Sequence, residues 1–148
     1  MYEYKAKLVN VVDGDTVDVD IDLGFGIWMR DERVRIMGID TPESRTRDLV
    51  EKKFGLAAKK RITELLGTEN IVLKTQVARN GEDMKGKFGR VLGDFDIHYE
   101  PTESSMSVSE IMILEGHAVR YMGGSKDELT EQHMANRTRL LEEGIVAP

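Results

Sequence analysis

Three short runs in this chain combine residue types that could do chemistry. The first is Val12-Asp13-Gly14-Asp15-Thr16-Val17. Asp13 and Asp15 share the odd-numbered parity of Val9, Val11, Val17, Val19 and Ile21. An unbroken strand would therefore turn both acids to its apolar face, where an anion is costly unless paired or bound to a cation. Oxygen donors with no neighbouring His or Cys select a hard ion, calcium or magnesium. The competing reading is a bulge or turn at Gly14 that points both acids to solvent, and the hexapeptide alone does not choose. The second run is Arg33–Glu43, in which Arg35 sits inside an apolar strand and is followed within eight residues by Asp40, Thr41 and Glu43. A guanidinium keeps its charge and presents a planar fork that suits a phosphate. Taken alone, an ion pair between Arg35 and Asp40 is the plainer explanation. Strict alternation puts those two on opposite faces, so they converge only if the strand bends, which Gly38 permits. The third run, Lys87-Phe88-Gly89-Arg90, follows a loop carrying Arg79 and Lys85, and read singly it is a solvated basic turn.

The elements that must position these residues can be read from periodicity and punctuation. Alternation over Tyr4–Leu23 and again over about Ile27–Ile39 predicts strands, with Gly24-Phe25-Gly26 as the turn between them. Asp40-Thr41-Pro42-Glu43 ends the second stretch, because proline cannot donate to a ladder. Phe54, Ala58, Ile62 and Leu65 recur at helical spacing, which predicts a helix over about Arg47–Leu66 stopped by Gly67. Gly55 weakens that helix by about 1 kcal/mol relative to alanine. A strand over Asn70–Ala78, a loop over Arg79–Lys87 and a strand near Phe88–Phe95 follow. Tyr99–Ser107 reads as a polar loop. Ser107 or Ser109 could cap a short helix to about Leu114, and a last helix runs over Lys126–Glu143 to Gly144. Short strands interrupted by one helix suit an α+β fold, mainly β: a five-stranded barrel of the OB type with about three packed helices. A small α+β sandwich fits the same pattern.

Composition sets the outer bounds. The 148 residues fit one domain, residues 1–148, large enough to bury a core without staples. There is no cysteine, which removes disulfides, thiolate metal sites and thiol nucleophiles. Neither a signal-peptide h-region nor a membrane-spanning apolar run is found, so a monomeric cytoplasmic protein without membrane contact is expected, secretion of a processed form being the exception. The net charge of −6 argues against a chain that coats nucleic acid, and leaves room for an enzyme with a locally basic cleft.

Taken together, the three runs resemble the thermonuclease family, the staphylococcal-nuclease-like domains. The resemblance covers most of the chain. It rests on Val-x-Asp-Gly-Asp-Thr-Val over 11–17, Arg-(x)4-Asp-Thr-Pro-Glu over 35–43, Glu51-Lys52-Lys53-Phe54-Gly55, Lys-aromatic-Gly-Arg over 87–90, Leu114-Glu115-Gly116-His117-Ala118, and Glu131-Gln132-His133. It implies an OB barrel and a calcium-dependent endonuclease that cuts DNA and RNA, leaving 3′-phosphate and 5′-hydroxyl ends. By position, Asp15 and Asp40 match the carboxylates that hold one Ca2+, with the Thr41 carbonyl as a further ligand and Asp13 as a nearby, water-mediated partner. Glu43 matches the general base for the attacking water, and Arg35 and Arg90 match the arginines that grip the scissile phosphate. Such an assignment is chemically coherent: charge building on the phosphoryl oxygens is met by a cation and two guanidinium groups.

Two positions depart from the pattern. Phe88 stands where the best-known members carry tyrosine, and Tyr121 is nearest to the family's nucleotide-contacting aromatic. Lys87, Phe88 and Tyr121 are thus the expected substrate periphery. Lys85, Lys87 and Arg90 are read as phosphate guidance, while Lys52, Lys53, Lys59, Lys60 and Arg61 are read mostly as a solvated helix face. His98, His117 and His133 show no metal spacing and are expected to serve at the surface or in packing. The alternative function is a non-catalytic nuclease-like module that binds nucleic acid or a protein partner. Degenerate copies of this domain lose the carboxylates and arginines that this chain keeps.

Overall fold

The computed structural model of the chain describes residues 2–76, 90–122 and 126–148. The first strand, β1 (Glu3–Asp13), folds back on β2 (Thr16–Gly24), with Gly14 and Asp15 as the turn between them. Their register slips twice, between Leu8 and Asn10 and between Val11 and Asp13. The second slip breaks the parity that would have sent Asp13 to the apolar face. The β2–β3 hairpin turns through Phe25-Gly26, both at positive φ, and leads into β3 (Ile27–Ile36). Inside that hairpin Asp18 is buried opposite Arg33 and receives two hydrogen bonds from it, at 2.8 and 3.2 Å. Those bonds hold the Asp18 carboxyl below its ordinary range against the penalty of burial.

The expected strand over Ile27–Ile39 is interrupted. It stops at Ile36, turns through Met37-Gly38 with Gly38 at φ 82°, and resumes as β4 (Ile39–Asp40). That short strand pairs with β8 (Val119–Arg120) in a separate two-stranded ribbon. Helix α1 (Leu49–Leu66) follows, its first turn capped by Asp48, which accepts from the backbone N–H of Val50 and Glu51. Strand β5 (Ile71–Thr75) joins β1 to β6 (Val91–Tyr99). The barrel closes where β6 runs parallel beside β3, pairing Val34 with Val91, Arg35 with Leu92 and Ile36 with Gly93. Closure of β3-β2-β1-β5-β6 is the five-stranded OB-type barrel expected from the sequence. A Cβ on Gly93 would come within 2.8 Å of the Lys74 carbonyl oxygen, so this crossing needs glycine.

Two expectations along the chain need correction. The stretch read as a polar loop contains β7 (Ser104–Ser107), which extends the sheet beyond β6, and β6 itself runs on to Tyr99. Helices α2 (Val108–Leu114, capped by Ser107) and α3 (Lys126–Glu142) lie where they were predicted. The core fills the barrel with Val17, Val19, Val34, Ile36, Leu73 and Phe95, and is covered by Ala58, Ile62 and Leu66 of α1 and Ile111 and Met112 of α2. A separate small cluster, Phe54, Leu140 and Val146, fastens α3 and the chain's last residues to α1. None of the helices among the described residues is long and apolar enough to cross a membrane.

Arg61, expected on a solvated face, is instead half-buried. It grips Glu115 with two bonds, 2.6 and 2.9 Å, while the Tyr99 hydroxyl donates to the same carboxylate at 2.7 Å. Burial pushes the Glu115 carboxyl up, and the bonds from Arg61 and Tyr99 outweigh it, leaving the group below the usual range. Arg61→Met should therefore strand a partly buried carboxylate and cost about 2 kcal/mol. In thermal unfolding the loss should read as about 5 °C; an unchanged midpoint would show that the network adds nothing. His117 is buried after α2, its imidazole pushed below its usual range by burial, and His98 is exposed on β6.

Candidate active site

The predicted residues assemble around the β1–β2 turn, the break after β3 and the segment leading to α1. In the β2–β3 ladder Arg35 lies opposite Thr16, one residue from Asp15. Its Nη2 donates to the Ile39 carbonyl at 2.8 Å and Nη1 donates to that of Ile36 at 2.5 Å. The guanidinium thereby bridges the Met37-Gly38 turn from within. Nη2 also stands 3.5 Å from Asp15 Oδ2, with both side chains mostly covered. The bend at Gly38 is real, yet among the described residues the carboxylate beside Arg35 is Asp15, not Asp40 as the simple ion-pair reading would have it.

Asp13 and Asp15 both point into the protein rather than to solvent. Asp15 accepts the Thr41 backbone N–H on Oδ2 at 3.3 Å and the Thr16 hydroxyl on Oδ1 at 3.0 Å, and its own carbonyl accepts the Ile36 N–H. Asp13 Oδ1 accepts from the Ser44 backbone N–H at 3.1 Å and from the Ser44 hydroxyl. The two turn acids thus tie down the 41–44 segment from two sides. Gly14 between them is tightly enclosed: a Cβ there would approach Ala58 Cβ to 2.8 Å and Thr41 Cγ2 to 3.1 Å. Glu43 is exposed; its N–H donates to Glu51 Oε2 at 3.1 Å, and its carbonyl lies against Gly55 of α1.

Asp40 has a partner that sequence reasoning missed. Its Oδ2 is 2.8 Å from Nε2 of His133, a residue of α3 that is 93 positions away and mostly buried. Ser44 and Glu51 were missed as well. Glu51 and His133 stood in runs that carry the family resemblance, but their partners could not be read there, because each of the three acts through a contact that only the fold creates. Tyr121 donates its N–H to the Gly38 carbonyl at 2.9 Å and lines a cleft of about 410 Å³. One wall of that cleft is Asp40–Glu43 with Asp48 and Glu51; the other is α3, through Leu129, His133, Met134 and Arg137. Arg90 is half-buried immediately before Val91, flanking the strand that carries Arg35. Lys87 and Phe88, with Arg79 and Lys85, lie outside the described residues.

The model of the staphylococcal nuclease homologue family matches residues 33–140 of the 148. The chain belongs to that family. The matched span contains Arg35, Asp40, Thr41, Glu43 and Arg90; the Asp13-Gly14-Asp15 turn precedes it. Among similar nuclease homologues is a protein named micrococcal nuclease from Shigella flexneri, 29% identical over 133 residues, 84% of this chain and 64% of that one. Another is a thermonuclease from Staphylococcus intermedius, 33% identical over 82 residues, 55% of this chain and 42% of that one. The chain therefore spans under two thirds of the length of these relatives.

Proposed function

We propose that this nuclease homologue hydrolyses phosphodiester bonds of DNA, RNA or both, as an endonuclease assisted by one calcium ion. The observation that carries the reading is the junction of Arg35, Asp15 and the Thr41 backbone beside the cleft edged by Glu43. The donors suit a hard cation: the carboxylates of Asp15 and Asp40 and the Thr41 carbonyl are all oxygens, and the chain has no thiolate to compete. Among the described residues no three Asp, Glu or His side chains converge, so two carboxylates, a carbonyl and water would make up the shell. Calcium accommodates this, since it takes about 6–8 oxygens in irregular geometry. Bound there, the ion would supply Lewis-acid stabilisation to the phosphoryl oxygens.

The chain's own groups supply the rest. Arg35 has five N–H donors, of which two are committed to carbonyls while Nη2 also stands near Asp15, so the donors not engaged there can meet a phosphate. Arg90 would grip the same group from the β6 side. Glu43, exposed at the cleft edge, accepts a proton from the attacking water. The water oxygen bonds to phosphorus as the P–O5′ bond breaks, and the departing O5′ takes a proton from solvent, leaving 3′-phosphate and 5′-hydroxyl ends. Asp13 serves by holding Ser44 and with it the backbone that carries Glu43. His133 serves by orienting Asp40, the kind of outer partner that fixes a ligating carboxylate. Lys87, Phe88 and Tyr121 would hold the flanking nucleotide.

The test is cleavage of single-stranded DNA and of RNA with calcium, with magnesium and with EDTA, by the native chain and by Glu43→Ala. Calcium-stimulated cutting that EDTA abolishes is expected, with the variant reduced about 100-fold or more. Equal residual cutting by both proteins would mark a contaminant and end the catalytic reading. Strand binding with no cleavage would favour the non-catalytic module.

A further inference from the structure

The cleft beside Glu43 contains a cation that the hydrolytic chemistry leaves unused. Arg137 stands one helical turn after His133 on α3, and both residues line the cleft. Its guanidinium carbon lies 5.4 Å from the centre of the Phe54 ring, and that ring is itself packed against Leu140 and Val146. The head group is thus held in place from behind by an aromatic face. Its Nε is buried and has no hydrogen-bond acceptor. A buried N–H left without an acceptor is costly, and such a group in a native protein calls for an explanation.

The acids on the opposite wall do not provide one, because each is engaged elsewhere. Asp48 caps α1, Glu51 accepts the Glu43 N–H, and Asp40 faces His133. Of the described charged side chains that line the cleft, those of Glu43 and Arg137 are left without an ion pair or hydrogen bond. One is the proposed base; the other is a permanent cation facing about 410 Å³ of open space, enough for a nucleotide.

We infer that Arg137 forms a second phosphate subsite, which takes the phosphodiester of the substrate strand next to the scissile one. The inference rests on the nuclease reading for its substrate, and adds a contact that the cutting step does not require. With the scissile phosphate at Arg35 and Glu43, the strand has the cleft as its continuation toward α3. Guanidinium is the side chain suited to that task, since its fork can meet two phosphate oxygens while its face stays on Phe54.

Binding separates this subsite from catalysis. A thymidine dinucleotide carries one phosphodiester and a tetranucleotide carries three. Both are titrated calorimetrically in EDTA, so that no bond is cut, against the native chain, Arg137→Gln and Arg137→Lys. Arg137→Gln should weaken the tetranucleotide about tenfold, as expected for one charge-assisted contact, and the dinucleotide less than about twofold. Arg137→Lys, which keeps the charge and loses the fork, should fall between and guards against a glutamine variant that does not fold. Equal losses at both lengths, or none at the longer one, would overturn the subsite. A tetranucleotide that Arg137 holds and calcium never cuts would sink the hydrolytic reading and leave the subsite standing. A tetranucleotide that is cut and whose binding ignores Arg137 would do the reverse.

Discussion

Arg35→Ala should lower kcat/KM for strand cleavage by about 100- to 1000-fold, the range for removing one preorganised donor from a developing anion. The loss has two sources. The alanine variant gives up the N–H groups that would face the phosphate, and it also empties the space from which the guanidinium bridges the Ile36 and Ile39 carbonyls. Those carbonyls flank the Met37-Gly38 turn, and the turn sets the direction in which Asp40 and Thr41 leave the barrel. Without calcium, Asp15 would be left with no cation beside it, so a modest fall in the thermal midpoint measured in EDTA should accompany the kinetic loss. Arg35→Lys should restore little, because an ammonium cannot span two carbonyls and still present a flat fork. Steady-state kinetics of the two variants beside their melting curves would test this. A lysine variant with near-native kcat/KM would show that positive charge alone suffices and would refute the bridging role.

Gly55→Ala should be damaging, although helix propensity predicts a gain of about 1 kcal/mol. A Cβ at residue 55 would lie 2.2 Å from the Glu43 carbonyl oxygen, 2.4 Å from its carbon and 2.6 Å from the Ser44 nitrogen. All three are backbone atoms, so no side chain can swing aside; either α1 or the 43–44 segment must move. Overpacking of this kind costs about 1–3 kcal/mol. The same displacement pulls on the N–H bond to Glu51 and the bonds to Asp13, so the proposed base should lose its position as the protein loses stability. Denaturant melts and cleavage assays on Gly55→Ala would report both effects. A more stable variant with undiminished cleavage would show that the close approach is not rigid.

That glycine illustrates what the sequence could and could not disclose. Gly55 was visible as a weak point in a helix, while its use, letting a loop backbone lie against α1, depends on a neighbour twelve residues away. The parity of Asp13 and Asp15 signalled something abnormal in β1. The answer was a register slip and a turn at Gly14, the alternative weighed from the sequence, but with both acids bonded to the 41–44 segment and not turned to solvent. Gly38 was legible as the bend that would redirect Asp40. The identity of the partners was not, since Arg35 met Asp15 and Asp40 met His133. Barrel closure through the parallel β3–β6 pairing likewise joins segments whose sequences carry no mark of each other. Ser104–Ser107 was read as a loop because three serines around a single Met106 show no apolar period. Local chemistry was well announced by motif; the contacts that orient it arise from long-range topology.

The cluster of Phe54, Leu140 and Val146 gives the molecule two unequal centres of cohesion. Undocking α3 would disrupt a few apolar contacts, the Arg137–Phe54 contact, the Asp40–His133 bond and the Asn136 bond to the Ala118 carbonyl, while the barrel's ladders stayed intact. Such a segment has an opening equilibrium of its own, set well below the free energy of global unfolding. His133 and Arg137 ride on it. The far wall of the cleft is therefore assembled by a local docking step, and changes at Leu140 or Val146 would tune how often the site is whole without altering any group that touches substrate.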